Sequence, residues 1–157
     1  IDRSRGLGDV YKRQIIAGVE DSQPVKNKFT LPKLKSKRLI TKTVCRHAAL
    51  IANEIKASAV CTLTHSGYTG WQISSWRPNC LVLVFTSNKR ILSQLNLLWG
   101  VKCIYYNKFQ STDRTVEDVN ALAIKNRYVR RGDVVVNLAS MPIKDKGQVN
   151  TLRITKL

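Results

Sequence analysis

The chain has 157 residues, 43% hydrophobic and 24% charged, the size and composition of about one globular domain. No run approaches the roughly 18 consecutive apolar residues needed to cross a bilayer, and the basic N-terminus has no apolar secretory core, so no membrane partner is expected. The 27 Lys/Arg against 10 Asp/Glu give a formal net charge of +17, which by itself suits nucleic acid, an anionic membrane surface or a phosphorylated ligand.

The first segment does not read as fold. Asp9-Val10-Tyr11-Lys12-Arg13-Gln14 resembles the translation of a transposase adapter end used in preparing sequencing libraries. Residues 1–14 are therefore expected to be a non-native artefact, the plainer reading being a disordered basic N-terminus. Ile15 to Glu20 reads as the last turns of a helix. Asp21 to Leu39, with two prolines, five lysines and little periodicity, reads as linker.

Order is expected from about residue 40. Val44, Ala48, Ile51, Ala52 and Ile55 recur at helical spacing, which predicts a helix from Thr41 to about Lys56 with Thr41 as its N-cap. Ser58 to Thr64 is a β-rich run, and Tyr68 to Trp76 a short helix ended by Pro78. Leu81 to Phe85 is apolar throughout, as a strand buried on both faces is. Asn88 caps a helix carrying Ile91, Leu92, Leu95 and Leu98 that stops at Gly100. Val101 to Tyr106 is a third strand. Asp113 or Thr115 opens a helix to about Arg127, and Asp133 to Leu138 is a fourth strand. After a polar loop closed by Gly147, Val149 to Thr155 alternates as a final strand. This order predicts an open three-layer α/β domain over residues 40–157. Its five-stranded sheet is mostly parallel, with helices on both faces and the last strand antiparallel at an edge.

Enzyme signatures are nearly absent. There is no Walker loop, no GxSxG elbow, no HExxH and no metal-ligand spacing. Glu117-Asp118 reads as a pair favoured by the helix dipole, and His47 as a packing residue beside the first helix's apolar stripe. Cys45, Cys61, Cys80 and Cys103 are widely spaced and read as small buried hydrophobes in a reducing compartment. The positive charge is spread: twelve Lys/Arg against four Asp/Glu in residues 1–46, and fifteen against six thereafter. The later part has no basic run longer than Arg130-Arg131 and no interleaving of aromatic with basic residues that makes a stacking platform, so nucleic acid is disfavoured as a partner.

One segment carries chemistry. Thr64-His65-Ser66-Gly67-Tyr68-Thr69 follows the first strand and leads into a helix, where unpaired N–H groups attract anions. In an open parallel sheet, ligands collect beyond the carboxyl ends of the strands. Gly67 permits close approach or positive φ, and Thr64, Ser66 and Thr69 add hydroxyls. The same residues would also serve as a plain helix cap. A second loop, Ser140 to Gln148, falls at the same end of the sheet. There Lys144 and Lys146 would neutralise a phosphate, or simply solvate a hairpin loop.

Leu63-Thr64-His65-Ser66-Gly67, Arg77-Pro78, Thr86-Ser87-Asn88, Leu98-Trp99-Gly100-Val101, Arg131-Gly132-Asp133 and Gly147-Gln148-Val149-Asn150 together resemble the C-terminal domain of pyruvate kinase, in order and spacing across residues 41–157. By that resemblance, residues 15–39 are the end of the helix leaving the catalytic barrel plus a linker, and 40–157 the C-terminal domain. The resemblance implies an enzyme that moves the phosphoryl group of phosphoenolpyruvate to ADP in cytoplasmic glycolysis, with magnesium and potassium as cofactors. That chemistry belongs to the barrel, so this chain alone is expected to be inactive, with no catalytic residue and no metal or cofactor of its own.

It further implies an allosteric domain that binds a sugar-phosphate or nucleotide effector and forms a homotetramer interface. Its effector-phosphate residues would be Thr64, His65, Ser66, Gly67 and Thr69, with Lys144 and Lys146 in the neighbourhood of the second effector loop. Some family members carry lysine at the position of His65. A free-standing phosphate-ligand module, or a basic nucleic-acid-binding protein, are the alternative readings.

Overall fold

The computed structural model describes residues 3–21, 38–108, 111–141 and 148–157. Helix α1 (Arg3–Glu20) is continuous, joining the segment expected as an artefact to the one expected as a helix end. Its side chains from Asp9 onward are exposed, Val10, Tyr11, Ile15, Ile16 and Val19 included.

The remaining elements alternate as the sequence predicts: α2 (Leu39–Glu54), β1 (Ala59–Leu63), α3 (Tyr68–Ser75), β2 (Leu81–Thr86), α4 (Lys89–Leu95), β3 (Val101–Tyr105), α5 (Thr112–Lys125), β4 (Val134–Ala139) and β5 (Thr151–Lys156). The five strands form one sheet in the order β3-β2-β1-β4-β5. β1 pairs in parallel with β2 (Thr62 opposite Val84) and with β4 (Thr62 opposite Leu138). β2 and β3 are parallel, and β5 runs antiparallel to β4 with Lys156 opposite Val134. The expected fold class therefore holds.

Strand alternation divides the core. Val60, Val82, Val84, Val136 and Leu138 point to one face, where Cys45, Ala48, Ala49 and Ala52 of α2, Ile73 of α3 and Leu95 of α4 cover them. Ala59, Cys61, Leu83, Phe85 and Val135 point to the other, under Val119 and Ala123 of α5. The small alanines of α2 let that helix lie close to the sheet. Gly70 does the same for α3: a Cβ there would stand 2.7 Å from Cγ2 of Val84. The two edges are less buried than the three central strands, and β3 is partly closed off because the Cys103 amide donates to Asn96 Oδ1 at 2.8 Å.

Several local expectations are corrected. Thr41 is not an N-cap: α2 already runs from Leu39, with Arg38 at the cap position. The Thr41 side chain is buried inside the helix, and its hydroxyl finds no partner among the described residues. His47 faces solvent, with Nδ1 2.8 Å from the Thr43 carbonyl, rather than packing in the core. Helix α4 ends at Leu95, so Leu98 and Gly100 belong to the following turn. α5 starts at Thr112 after Ser111, one residue before the first expected position. Of the four free thiols, Cys45 and Cys61 are buried and Cys80 and Cys103 only half-buried.

Candidate functional site

The connectivity creates a crevice. From β1 the chain steps outward through β2 to β3 and then returns to place β4 on the other side of β1, with α5 on the opposite face. The loops after β1 and β4 therefore leave from neighbouring strand ends at the reversal point, where open α/β sheets collect ligands.

The loop after β1 is built from its own side chains. The Thr64 amide extends the sheet by donating to the Phe85 carbonyl at 3.0 Å. Thr64 Oγ1 then accepts the Gly67 amide at 3.0 Å, and Ser66 Oγ accepts the Tyr68 amide at 3.5 Å. Gly67, at the N-cap position of α3, has φ +81, a left-handed conformation that glycine adopts without strain. It is also tightly placed, since a Cβ there would sit 3.1 Å from Leu95 Cδ2. The His65 carbonyl accepts from Asn88 Nδ2 at 3.4 Å, which ties the loop to the start of α4. Asn88 Oδ1 caps that helix by accepting the Arg90 amide at 3.1 Å, as expected of it.

This geometry sorts the sequence-expected residues. His65 and Ser66 are exposed, and their amides donate to no group among the described residues. Thr64 is half-buried and spends its oxygen on the turn, while Gly67 and Thr69 are buried. Thr64, His65, Ser66 and Gly67 thus form one tight turn, and Thr69 lies in the first turn of α3 beneath it. Lys144 and Lys146 lie outside the described residues. The two ends of their loop are pinned together: the Met141 amide donates to Asn150 Oδ1 at 2.8 Å, and Asn150 Nδ2 returns to the Met141 carbonyl at 2.7 Å.

Sequence reasoning missed one cation. Arg38 fell within the expected linker, yet its guanidinium lies over the ring of Tyr68, 4.4 Å from the centroid, at the first residue of α3. The only local signal was its position just before the helical periodicity begins.

Burial pushes the thiols of Cys45 and Cys61 up to about 12 and that of Cys80 to about 11, so they stay protonated near neutral pH. Burial, helped by the Asp118 charge, also raises the Tyr106 phenol, whose hydroxyl donates to the Lys108 carbonyl and to Asp118 Oδ2. Among the described residues, no group of three His, Cys, Asp or Glu side chains is placed to hold a metal ion, and no helix is long and apolar enough to cross a membrane.

The fold and its crevice loop define a small open α/β domain with a mostly parallel five-stranded sheet. Residues 42–155 match the family model of the pyruvate kinase alpha/beta domain, and the chain belongs to that family. It is 34% identical over 115 residues to a pyruvate kinase of Sporosarcina psychrophila, covering 73% of this chain and 20% of that protein. A pyruvate kinase of Clostridium acetobutylicum is also 34% identical, over 103 residues, covering 66% of this chain and 22% of the relative. The crystal structure of a pyruvate kinase from Cryptosporidium parvum superposes with a TM-score of 0.68 at 21% identity, over 80% of this chain and 23% of that one, which shows the shared fold. The chain spans about a fifth of the length of the curated relatives it matches.

Proposed function

We propose that this chain works as the regulatory and oligomerisation domain of a cytoplasmic pyruvate kinase, whose separate catalytic barrel, using magnesium and potassium, transfers the phosphoryl group from phosphoenolpyruvate to ADP. In this reading the chain catalyses nothing by itself. It pairs with the barrel and with copies of itself in a homotetramer, and holds a phosphate of a sugar-phosphate or nucleotide effector.

The observation that carries the effector site is the turn Thr64-His65-Ser66-Gly67. In it the amides of His65 and Ser66 donate to no group among the described residues, and the Ser66 side chain is exposed, just before the eight-residue helix α3. Free amides and the helix dipole together favour an anion there. Arg38 on the Tyr68 ring adds a fixed positive charge beside it. Lys144 and Lys146 are proposed to complete the site.

Calorimetric titration with a panel of sugar phosphates and nucleotides tests this. Ser66→Asp places a negative charge in the turn while keeping an oxygen for the Tyr68 amide, so it should abolish binding without unfolding the helix. Equal binding by wild type and Ser66→Asp would move the site elsewhere. A coupled assay with phosphoenolpyruvate and ADP should show no turnover by the purified chain.

A further inference from the structure

The other end of the sheet is rich in cations. The parallel strands begin opposite the Thr64–Gly67 turn, and the fold gathers there cations that are scattered in the sequence. Lys56 follows α2 and lies two residues before Ser58, whose amide donates to the Val134 carbonyl at 2.9 Å. Lys125 and Arg127 close α5. Arg130 and Arg131 form the turn into β4, where the Gly132 amide donates to the Leu157 carbonyl at 2.7 Å. Lys156 lies directly across from Val134. All six side chains are exposed, and among the described residues none forms an ion pair. The acidic side chains on the same segments are Glu54 and Asp133, and the Asp133 carboxylate is engaged by the Arg130 amide at 2.8 Å.

Helix termini explain only part of this. Cations near the C-terminal ends of α2 and α5 complement the helix dipole, which covers Lys56, Lys125 and Arg127. Arg130, Arg131 and Lys156 stand on a turn and a strand and gain nothing from it. The chain enters α2 at Arg38, beside Tyr68, at the other end of the sheet.

We infer that this end is a docking surface for double-stranded nucleic acid, held through its phosphates. Three of the six cations are arginines, whose planar forks match phosphate oxygens. Neighbouring strands stand about 4.8 Å apart, so the starts of β1 and β4 and the end of β5 spread charge over roughly 10 Å, enough to meet several phosphates of a duplex carrying one charge per ~1.7 Å of axis. The exposed aromatic residues of the described chain, Tyr11, Trp71 and Tyr105, belong to other elements. The ring at this end, Tyr128, is half-buried and packs against the core under α5, so it is not offered to bases; a duplex is preferred over a single strand and sequence is not read.

Fluorescence anisotropy of the full chain with a labelled 16-base-pair DNA duplex, across a salt series, tests the inference. Arg127→Gln/Arg130→Gln/Arg131→Gln should weaken binding at least ~10-fold and lower the salt slope by up to about 3, near one per lost phosphate contact. Lys42→Gln/Lys108→Gln/Arg114→Gln removes the same charge from the opposite end and should change affinity less than ~2-fold. If the first variant fails to fold by circular dichroism, Arg131→Gln alone should lower the slope by about 1. The inference is overturned if the duplex does not bind, if both triple variants lose equally, or if single-stranded DNA binds more tightly. Displacement by polyglutamate at equal charge concentration would also overturn it, because the surface would then fit an acidic protein.

Discussion

The guanidinium of Arg38 stands over the ring of Tyr68, 4.4 Å from its centroid, and so fastens the residue before α2 to the first residue of α3. Thirty positions of sequence separate them. The contact joins the entry of α2 to the helix that follows the Thr64–Gly67 turn.

A chain beginning at Arg38 should therefore melt within about a degree of the full chain, because surface segments away from packing usually contribute less than ~0.5 kcal/mol. A chain beginning at Ile40 loses the cation–π contact, worth about 0.5–1 kcal/mol at an exposed site, and should melt a few degrees lower. Thermal unfolding of the two truncations decides it. Equal melting temperatures would show that the stacking contributes nothing to stability.

Gly70 offers a sharper test of packing. An alanine methyl would approach Val84 Cγ2 to 2.7 Å, and both residues lie in the core under α3. Gly70→Ala should destabilise by about 1–3 kcal/mol despite alanine's better helix propensity, because overpacking outweighs it. Adding Val84→Ala opens space for the methyl. The double mutant should then be more stable than the sum of the two single losses by about 0.5 kcal/mol or more in urea unfolding. Strict additivity would mean that α3 shifts away from the sheet instead.

What was legible from sequence was what local pattern encodes. Leu81 to Phe85 reads as a central strand because both faces are buried, and the Thr/Ser/Gly run reads as a turn because Thr64 and Gly67 close it within four residues. Non-local bonds were not legible. α4 stops at Leu95, and Asn96 turns its side chain to the Cys103 amide, so the Gly100 stop signal came five residues late. Thr41 looked like a cap because nothing before it was periodic, but Leu39 and Ile40 already extend the helix. His47 fell beside the apolar stripe in sequence yet projects from the solvent side. The charge at the strand starts escaped notice for a related reason: a search for basic runs sees Arg130-Arg131, while only the fold adds Lys56, Lys125, Arg127 and Lys156 to them.

Two cations also hold the backbone conformation that glycine favours. Lys56 (φ 51) and Arg127 (φ 60) follow α2 and α5, and the next amides, of Ala57 and Tyr128, reach back to the carbonyls of Ala52 at 2.8 Å and Ala123 at 3.1 Å. This is the Schellman arrangement, in which a Cβ at the left-handed residue costs roughly 1 kcal/mol. Lys56→Gly and Arg127→Gly should each raise stability by about 0.5 kcal/mol or more, the added flexibility of the unfolded chain offsetting part of the gain. A fall in urea midpoint for either would mean that the side chain packs in a way its exposure conceals.

The buried thiols set the alkaline limit. Burial raises Cys45 and Cys61 to about 12 and Cys80 to about 11, from an ordinary value of 9.0. A group whose folded pKa lies above its unfolded value contributes stability that is fully present below the unfolded pKa and is lost as pH rises towards the folded one. Above pH 9 the unfolded chain releases these protons and the folded chain keeps them, so each thiol pulls stability down by up to about 1.4 kcal/mol per pH unit. The raised Tyr106 phenol acts in the same direction. Urea unfolding followed from pH 7 to 11 should show a plateau to about pH 8.5 and then a steep decline. Cys61→Ala should shallow that decline by close to one proton's slope, even though it lowers stability at neutral pH by removing a packed sulfur. An unchanged slope in Cys61→Ala would mean that the thiol ionises equally in the folded and unfolded chain, and that the interior around β1 admits water.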